Sequence, residues 1–215
     1  MTFDIESLRQ QIPYYLTAED QRALVEELKA ISSGGTANYL LSAYDDSFLD
    51  AMLQGDGWRG FQLFLFDTGE RRSVRGLVLS NSCDVDLNNP REVPARVVFA
   101  PLVKLASYKA LLDASGISAD RVAAKTGSIK AQKTTNIFYL PAGGPLEEDY
   151  VVRFDEAQSM PVAAHRLSPD RQKLFTLSDT GFYMLVLKLS VHFCRLQENV
   201  SRKPAEGADD LASLS

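Results

Sequence analysis

The feature that most constrains this chain is the run Phe61-Gln62-Leu63-Phe64-Leu65-Phe66, followed by Asp67-Thr68-Gly69-Glu70 and then Val74 to Ser80. A run this short, aromatic and nearly continuous predicts a strand buried on both faces or nearly so. Gly69 is free to take the positive φ of a tight turn. The two runs together predict a β-hairpin, and the rest of the chain has to pack around it.

Further strands are expected at Arg96–Ala100, closed by Pro101, then at Ile137–Leu140 and Tyr150–Phe154, with a Pro/Gly turn at 141–145. Thr17-Ala18-Glu19-Asp20 has the form of a capping box ahead of Leu24, Val25, Leu28 and Ile31, which share a helix face that Gly34-Gly35 ends. Asp45-Asp46-Ser47 predicts a second helix carrying Phe48, Leu49, Met52 and Leu53. Residues 102–135 read as an insertion. It holds a helix through Leu105, Tyr108, Leu111 and Leu112 to Gly116, a short piece capped by Ser118-Ala119-Asp120, and a basic loop from Lys125 to Lys133. The last long helix runs from about Ser178 to Glu198. Its apolar stripe is Phe182, Leu185, Val186, Leu189, Phe193 and Leu196, with Lys188, His192, Arg195 and Asn199 opposite. The expected fold is α+β: a small, strongly bent β-barrel over 57–200 with a helical insertion, an N-terminal helical segment over 1–56, a C-terminal helix packed on the barrel, and a polar tail over 201–215.

Hydrophobic residues make up 45% of the 215 and charged residues 24%, the usage of a globular chain and far from that of a disordered one. The net charge of −5 argues against a broad phosphate-gripping surface and leaves room for a local basic patch. Two cysteines and two histidines form no zinc spacing and no disulfide framework. The acidic start, Met1-Thr2-Phe3-Asp4-Ile5-Glu6, is unlike a secretory signal, and the apolar stretch Phe182–Leu187 is too short for a membrane span. A cytoplasmic setting without a membrane is the expectation, and no cofactor is nominated.

Chemistry-bearing residues crowd Ser80-Asn81-Ser82-Cys83-Asp84-Val85-Asp86, where a buried strand opens into a loop. Cys83 is a candidate nucleophile if a base lowers its pKa. Asp84 and Asp86, two apart, would share a face of an extended strand and are candidate magnesium ligands. Asn81, Asp84 and Asn88 also suit plain turn building. Arg75 falls on the same strand face as Leu77 and Leu79, so it must either pair with Glu70, Asp84 or Asp86 or hold an anion. His165, expected in a loop, is a candidate general base. Lys125, Lys130 and Lys133 could contact phosphate.

The strand Arg75-Gly76-Leu77-Val78-Leu79-Ser80, then Val97-Val98-Phe99-Ala100-Pro101, Tyr150–Phe154 and the closing Leu177-Ser178-Asp179 helix start are similar in order to the MazF/PemK-type toxin family, over roughly 57–104 and 136–198. The resemblance implies an SH3-like barrel that cleaves RNA, with Arg75 at the catalytic arginine's position. Gly76 stands where that family has proline, and Ala100-Pro101-Leu102 where it has a hydroxyl residue. Three functions follow as expectations. One is an interaction module holding a protein partner or a second copy, within a toxin–antitoxin or phage-defence system. Another is an RNA-binding or RNA-cleaving barrel with Arg75 clamping phosphate and Asp84 or His165 in acid–base roles. The third is a thiol or metal hydrolase at Cys83, Asp84 and Asp86.

Overall fold

A Cβ at Gly76 would stand 2.6 Å from the Phe61 ring and 2.9 Å from the Phe99 ring, so glycine is what lets these strands close over their own aromatics. The computed structural model describes residues 22, 25, 26, 29, 30, 40, 41 and 48–194. Its strands are β1 (Leu40–Leu41), β2 (Gly57–Leu65), β3 (Glu70–Val78), β4 (Arg96–Lys104), β5 (Ile137–Leu140), β6 (Tyr150–Arg153), β7 (Gln158–Pro161) and β8 (Gln172–Leu177). The helices are α1 (Ser82–Val85), α2 (Leu105–Ala114), α3 (Ala119–Lys130), α4 (Val162–Arg166) and α5 (Asp179–Cys194). All strand pairs are antiparallel, in the order β1-β8-β2-β3-β4-β6-β5, with β7 also on β4. The fold is α+β. Among the described residues no ladder closes the sheet on itself, and no helix is long and apolar enough to cross a membrane.

β4 organises this sheet. One edge pairs with β3; the other pairs with β7 over Arg96–Phe99 and with β6 over Leu102–Lys104. β6 and β7 are one strand broken by a 3-10 turn at Phe154–Glu156. Pro101 does not end β4, as its type predicts, but sits where the partner changes from β7 to β6. A missing N–H is tolerated at such an interruption of the ladder.

Three cores result. Trp58, Phe61, Val78, Val97, Phe99 and Met160 fill one side of the sheet, and Phe61 stacks on Phe99 with centroids 4.3 Å apart. Leu77, Leu79, Phe138, Val152 and Phe175 fill the other side with Met184 and Leu185 of α5. Helices α2 and α3 pack Leu105, Tyr108, Val122 and Ile129 against Ile137 and Val151.

Several expectations need correction. Lys125–Lys130 belongs to α3 rather than to a loop, and His165 lies in α4 rather than a loop. The segment after Ser80, expected to open into a loop, contains α1. Residues 48–53 form no α-helix, because Arg171 and Lys173 hydrogen-bond the carbonyls of Phe48, Asp50 and Ala51. β2 is not buried on both faces: Phe64 is 37% exposed and Phe66, just beyond it, 81%. The C-terminal helix is rotated about its axis, with Phe193 exposed and Lys188 fully buried. Of the first expected helix, Val25 is buried and helical while Arg22, Glu26, Lys29 and Ala30 are helical and exposed; Leu24, Leu28 and Ile31, the Thr17–Asp20 cap, the Asp45–Ser47 start and residues 201–215 lie outside the described residues.

Candidate anion-binding cleft

The register of β2 against β3 slips between Trp58 and Phe61, a bulge that turns Arg59 outward. Gly60, at φ +90°, is the residue that lets residues 168–171 press against this bulge. A Cβ there would meet the Ser168 Oγ at 2.7 Å and the Arg171 backbone at 3.1 Å. The result is an open cleft of about 540 Å³, walled by Arg59 and Gly60, by residues 73–75 of β3, and by residues 169–172.

Three guanidinium groups line it, and Asp170 is the acidic residue among them. Arg59 is exposed, and neither it nor Arg75 pairs with a carboxylate among the described residues. Arg75 donates to the Tyr150 hydroxyl at 3.0 Å instead of to Glu70, Asp84 or Asp86; Glu70 is taken by Arg72. Arg171 donates to the Asp50 carboxylate at 2.9 Å and the Asp50 carbonyl at 3.0 Å, while its guanidinium lies 4.6 Å from the Trp58 ring. That hydrogen bond and charge hold the Asp50 carboxyl below its ordinary value. Asp50 is 86% exposed at its side chain, so solvent weakens the pair.

Below Arg171 lies a buried layer of aromatic and polar groups. His165 is fully buried, lies against the Phe61 ring at 4.5 Å and meets Trp58 edge-on at 5.6 Å. Its Nε2 donates to the Arg59 carbonyl at 2.9 Å, which leaves Nδ1 as the bare acceptor. Burial pulls its pKa down, so the ring is held neutral. Trp58 Nε1, His165 Nδ1, Ser168 Oγ and Arg171 Nε are all buried without a hydrogen-bond partner among the described residues. Lys173 holds the adjoining wall: its Nζ bonds the buried Asp56 carboxylate at 2.8 Å.

The Cys83 segment forms a different place. Asn81 Oδ1 caps α1 by accepting from the Cys83 amide at 2.9 Å, and Arg91 donates to the carbonyls of Cys83, Asp84 and Asp86. Asp86 Oδ1 accepts from the Asn88 amide at 2.9 Å. Of the side chains expected to build turns, Asn81 does so, and the second such bond is made by Asp86 rather than by Asp84 or Asn88. Asp84 and Asp86 lie on and after a helical turn, not on one face of a strand. Cys83, exposed, and Asp86 line a pocket of about 420 Å³ with Phe48, Met52, Leu87 and Arg166. Among the described residues no three His, Cys, Asp or Glu side chains group as metal ligands.

The sequence-derived candidates are thus divided. Arg75 faces the arginine cleft, Cys83 and Asp86 face the second pocket, Asp84 lines neither, and the His165 ring is buried and lines neither. Arg171 lines both pockets. Of the basic cluster, Lys130 pairs with Asp149 at 2.7 Å and Lys125 lies over the Tyr108 ring.

Arg59 and Arg171 carry charge at structurally decisive places that sequence reasoning passed over, and Lys188, expected on the polar face of the last helix, is buried. Lys188 donates to the Gln132 carbonyl at 3.1 Å, the Gln132 side-chain oxygen at 2.8 Å and the Ile137 carbonyl. Burial draws its amine down to about 7. A lysine interrupting an apolar helical run was the available signal. Comparison of the chain with protein-family models found no match, and comparison with curated proteins found none either.

Proposed function

We propose that this protein is a binding module whose arginine cleft takes a phosphate-bearing polyanion. The observation that carries the reading is the convergence of Arg59, Arg75 and Arg171 on one open cleft, with the first two unpaired by carboxylates among the described residues. Guanidinium groups in this state suit phosphate, since each offers several N–H donors in a rigid fork and is weakly hydrated. The net charge of −5 makes the cleft a local exception, which favours a specific ligand over indiscriminate binding. Binding is preferred to catalysis because His165 is enclosed and Asp84 and Asp86 lie outside the cleft. The MazF/PemK resemblance and its SH3-like barrel belong to this proposal too. The bent β2–β3–β4–β7 region is the part that supports them, and Arg75 is the residue in common.

The test is calorimetric titration with linear inorganic polyphosphate at two salt concentrations. Binding should weaken as salt rises, and Arg59→Ala with Arg75→Ala should reduce it at least tenfold. Absence of binding at low salt would sink the reading.

A protein partner or second copy is favoured by a separate observation. Phe48, Leu49 and Leu87 are 46%, 50% and 41% exposed, and Phe48 and Leu87 line the Cys83 pocket. Sedimentation of wild type against Leu49→Asp would reveal self-association through that rim.

A further inference from the structure

The arginine cleft is not uniformly basic, and the carboxylate among its arginines narrows the kind of anion that fits. β3 meets Trp58 at Gly76 and Phe61 at Val74, so Arg75 stands opposite the two-residue bulge Arg59–Gly60. Arg59 is also the register partner of Gln172 in β8, and cross-strand partners share a face. Ser73, two residues from Arg75 along β3, is exposed on the same side. Residues 168–171 form the facing wall as a turn: the Arg171 amide donates to the Ser168 carbonyl at 3.1 Å, and Pro169 fixes the first corner. That turn presents Asp170, which is exposed and has no ion pair or hydrogen bond among the described residues.

Arg171 is committed to Asp50 and to the Trp58 ring, whereas Arg59 is unpaired among the described residues and Arg75 uses one N–H on the Tyr150 hydroxyl. Two guanidinium groups therefore remain for a ligand, on neighbouring strands, and each suits one phosphate. An unbroken polyanion would set part of its charge against Asp170, which repels it. An ionised carboxylate only accepts, so its partner in a ligand is a hydroxyl. Ser73 and Gln172 add groups that both donate and accept. None of the residues lining the cleft is aromatic, and the Trp58 ring is buried beneath Arg171. A nucleobase finds no stacking surface there.

Resting on the polyanion reading above, we infer that the ligand is a small polyol carrying two phosphates, of the sugar bisphosphate or inositol phosphate kind. Its phosphates lie on Arg59 and Arg75, and its free hydroxyls on Asp170, Ser73 and Gln172. A cleft of about 540 Å³ has the size of a small-molecule site. Hydroxyls between the phosphates break up the negative charge, as a carboxylate among arginines requires. Asp170 is then the selective element. A ligand with a hydroxyl there gains a charge-assisted hydrogen bond, and one with a phosphoryl oxygen there meets like charge. A free polyol phosphate and the headgroup of a phosphoinositide lipid offer this same chemistry.

The experiment is calorimetric titration of the full chain with inositol 1,4-bisphosphate, fructose 1,6-bisphosphate, linear polyphosphate and cyclohexanediol bisphosphate. The last keeps a ring and both phosphates without free hydroxyls. At least one polyol bisphosphate should bind about tenfold more tightly than the cyclohexanediol compound. Asp170→Ala should weaken that polyol about tenfold and strengthen polyphosphate, because it removes an acceptor from one and a like charge from the other. Asp170→Asn, which keeps a side-chain oxygen, should weaken the polyol less. A merely structural role for Asp170 would not move the two ligands in opposite directions. Strengthening of both by Asp170→Ala, or equal affinity for polyol and cyclohexanediol bisphosphates, overturns the inference while the anion cleft stands. So does binding of polyphosphate without either polyol. Equal affinity for inositol monophosphate overturns the assignment of two phosphates. Tighter binding of AMP than of ribose phosphate would put a base in the cleft and overturn the inference as well. Failure of polyphosphate and both polyols at low salt shows instead that the underlying cleft reading has failed. Phosphatidylcholine vesicles carrying phosphatidylinositol phosphate distinguish the sources. Tighter binding to them than to soluble inositol bisphosphate supports the polyol phosphate on a lipid, and no preference supports a free one.

Discussion

One row of side chains on β3 runs from Arg71 through Ser73, Arg75 and Leu77, with Leu79 just beyond the strand, and its two halves have opposite fates. Leu77 and Leu79 are buried in the core that Met184 and Leu185 of α5 complete, whereas Arg71 and Ser73 are exposed and Arg75 is half-buried at the boundary. Strand, pleat and twist are shared, so local conformation does not distinguish them. Coverage by α5 does. The covered half is apolar and stabilises the fold; the bare half holds unpaired charge and aromatics that add little to it. Function is therefore to be sought where a well-built strand outruns its cover.

The largest effect that sharpens this contrast is expected at Leu185, fully buried in the covered half. Leu185→Ala removes packed methyl groups and leaves space that the sheet cannot collapse to fill. We expect a loss of about 2–5 kcal/mol in urea unfolding. A loss under about 1 kcal/mol would mean that α5 is not what seals this face.

Lys188 gives the next test. Its three carbonyl partners satisfy the three N–H donors of an ammonium, yet full burial outweighs them and lowers the amine to about 7 from its ordinary 10.5. Between those values the unfolded chain binds more protons than the folded one, so stability rises with pH across about 7 to 10.5 and the slope fades outside it. Tyr139, raised mainly by burial and then by its bond to Asp149, acts in the opposite sense at the alkaline end. Comparison of wild type with Lys188→Met isolates the lysine: the difference in stability between the two should change across the window and be flat beyond it. A difference independent of pH would show that Lys188 is charged throughout and that the covered half tolerates charge as the bare half does.

How much of this was legible beforehand follows from which forces are local. The β2–β3 hairpin, α2 and the β5–β6 pair were readable, because turn glycines and apolar periodicity act over neighbouring residues. Arg75 was found because a charge among Leu77 and Leu79 violates its strand's pattern. The cleft was not readable. It depends on Gly60 admitting residues 168–171, more than 100 positions away, and on a bulge that re-aims Arg59. Residues 48–53 misled for a related reason: their periodicity suits a helix, but Arg171 and Lys173 capture their carbonyls. The identity of α5's buried face also escaped, since Lys188 finds its acceptors on α3's far end and β5.

The smallest expected stability effect belongs to the tip, and it is the one that could break the comparison. Phe66 is 81% exposed and its ring contact is with Phe64, itself partly in solvent. Phe66→Ala should change unfolding stability by no more than about 0.5 kcal/mol, the range of surface substitutions away from caps and cores. The sheet's own requirements are met without it, because Gln158 holds the Phe64 backbone from the other edge. A loss of several kcal/mol, independent of protein concentration, would place Phe66 in the folding core and reduce the bare half to a continuation of the covered one. A loss that grows with protein concentration would instead show the ring buried against another copy, so that the tip's partner is the protein itself. A near-zero value separates the two halves by what each contributes: α5 and Leu77 hold the sheet, and the aromatic tip adds nothing to its stability.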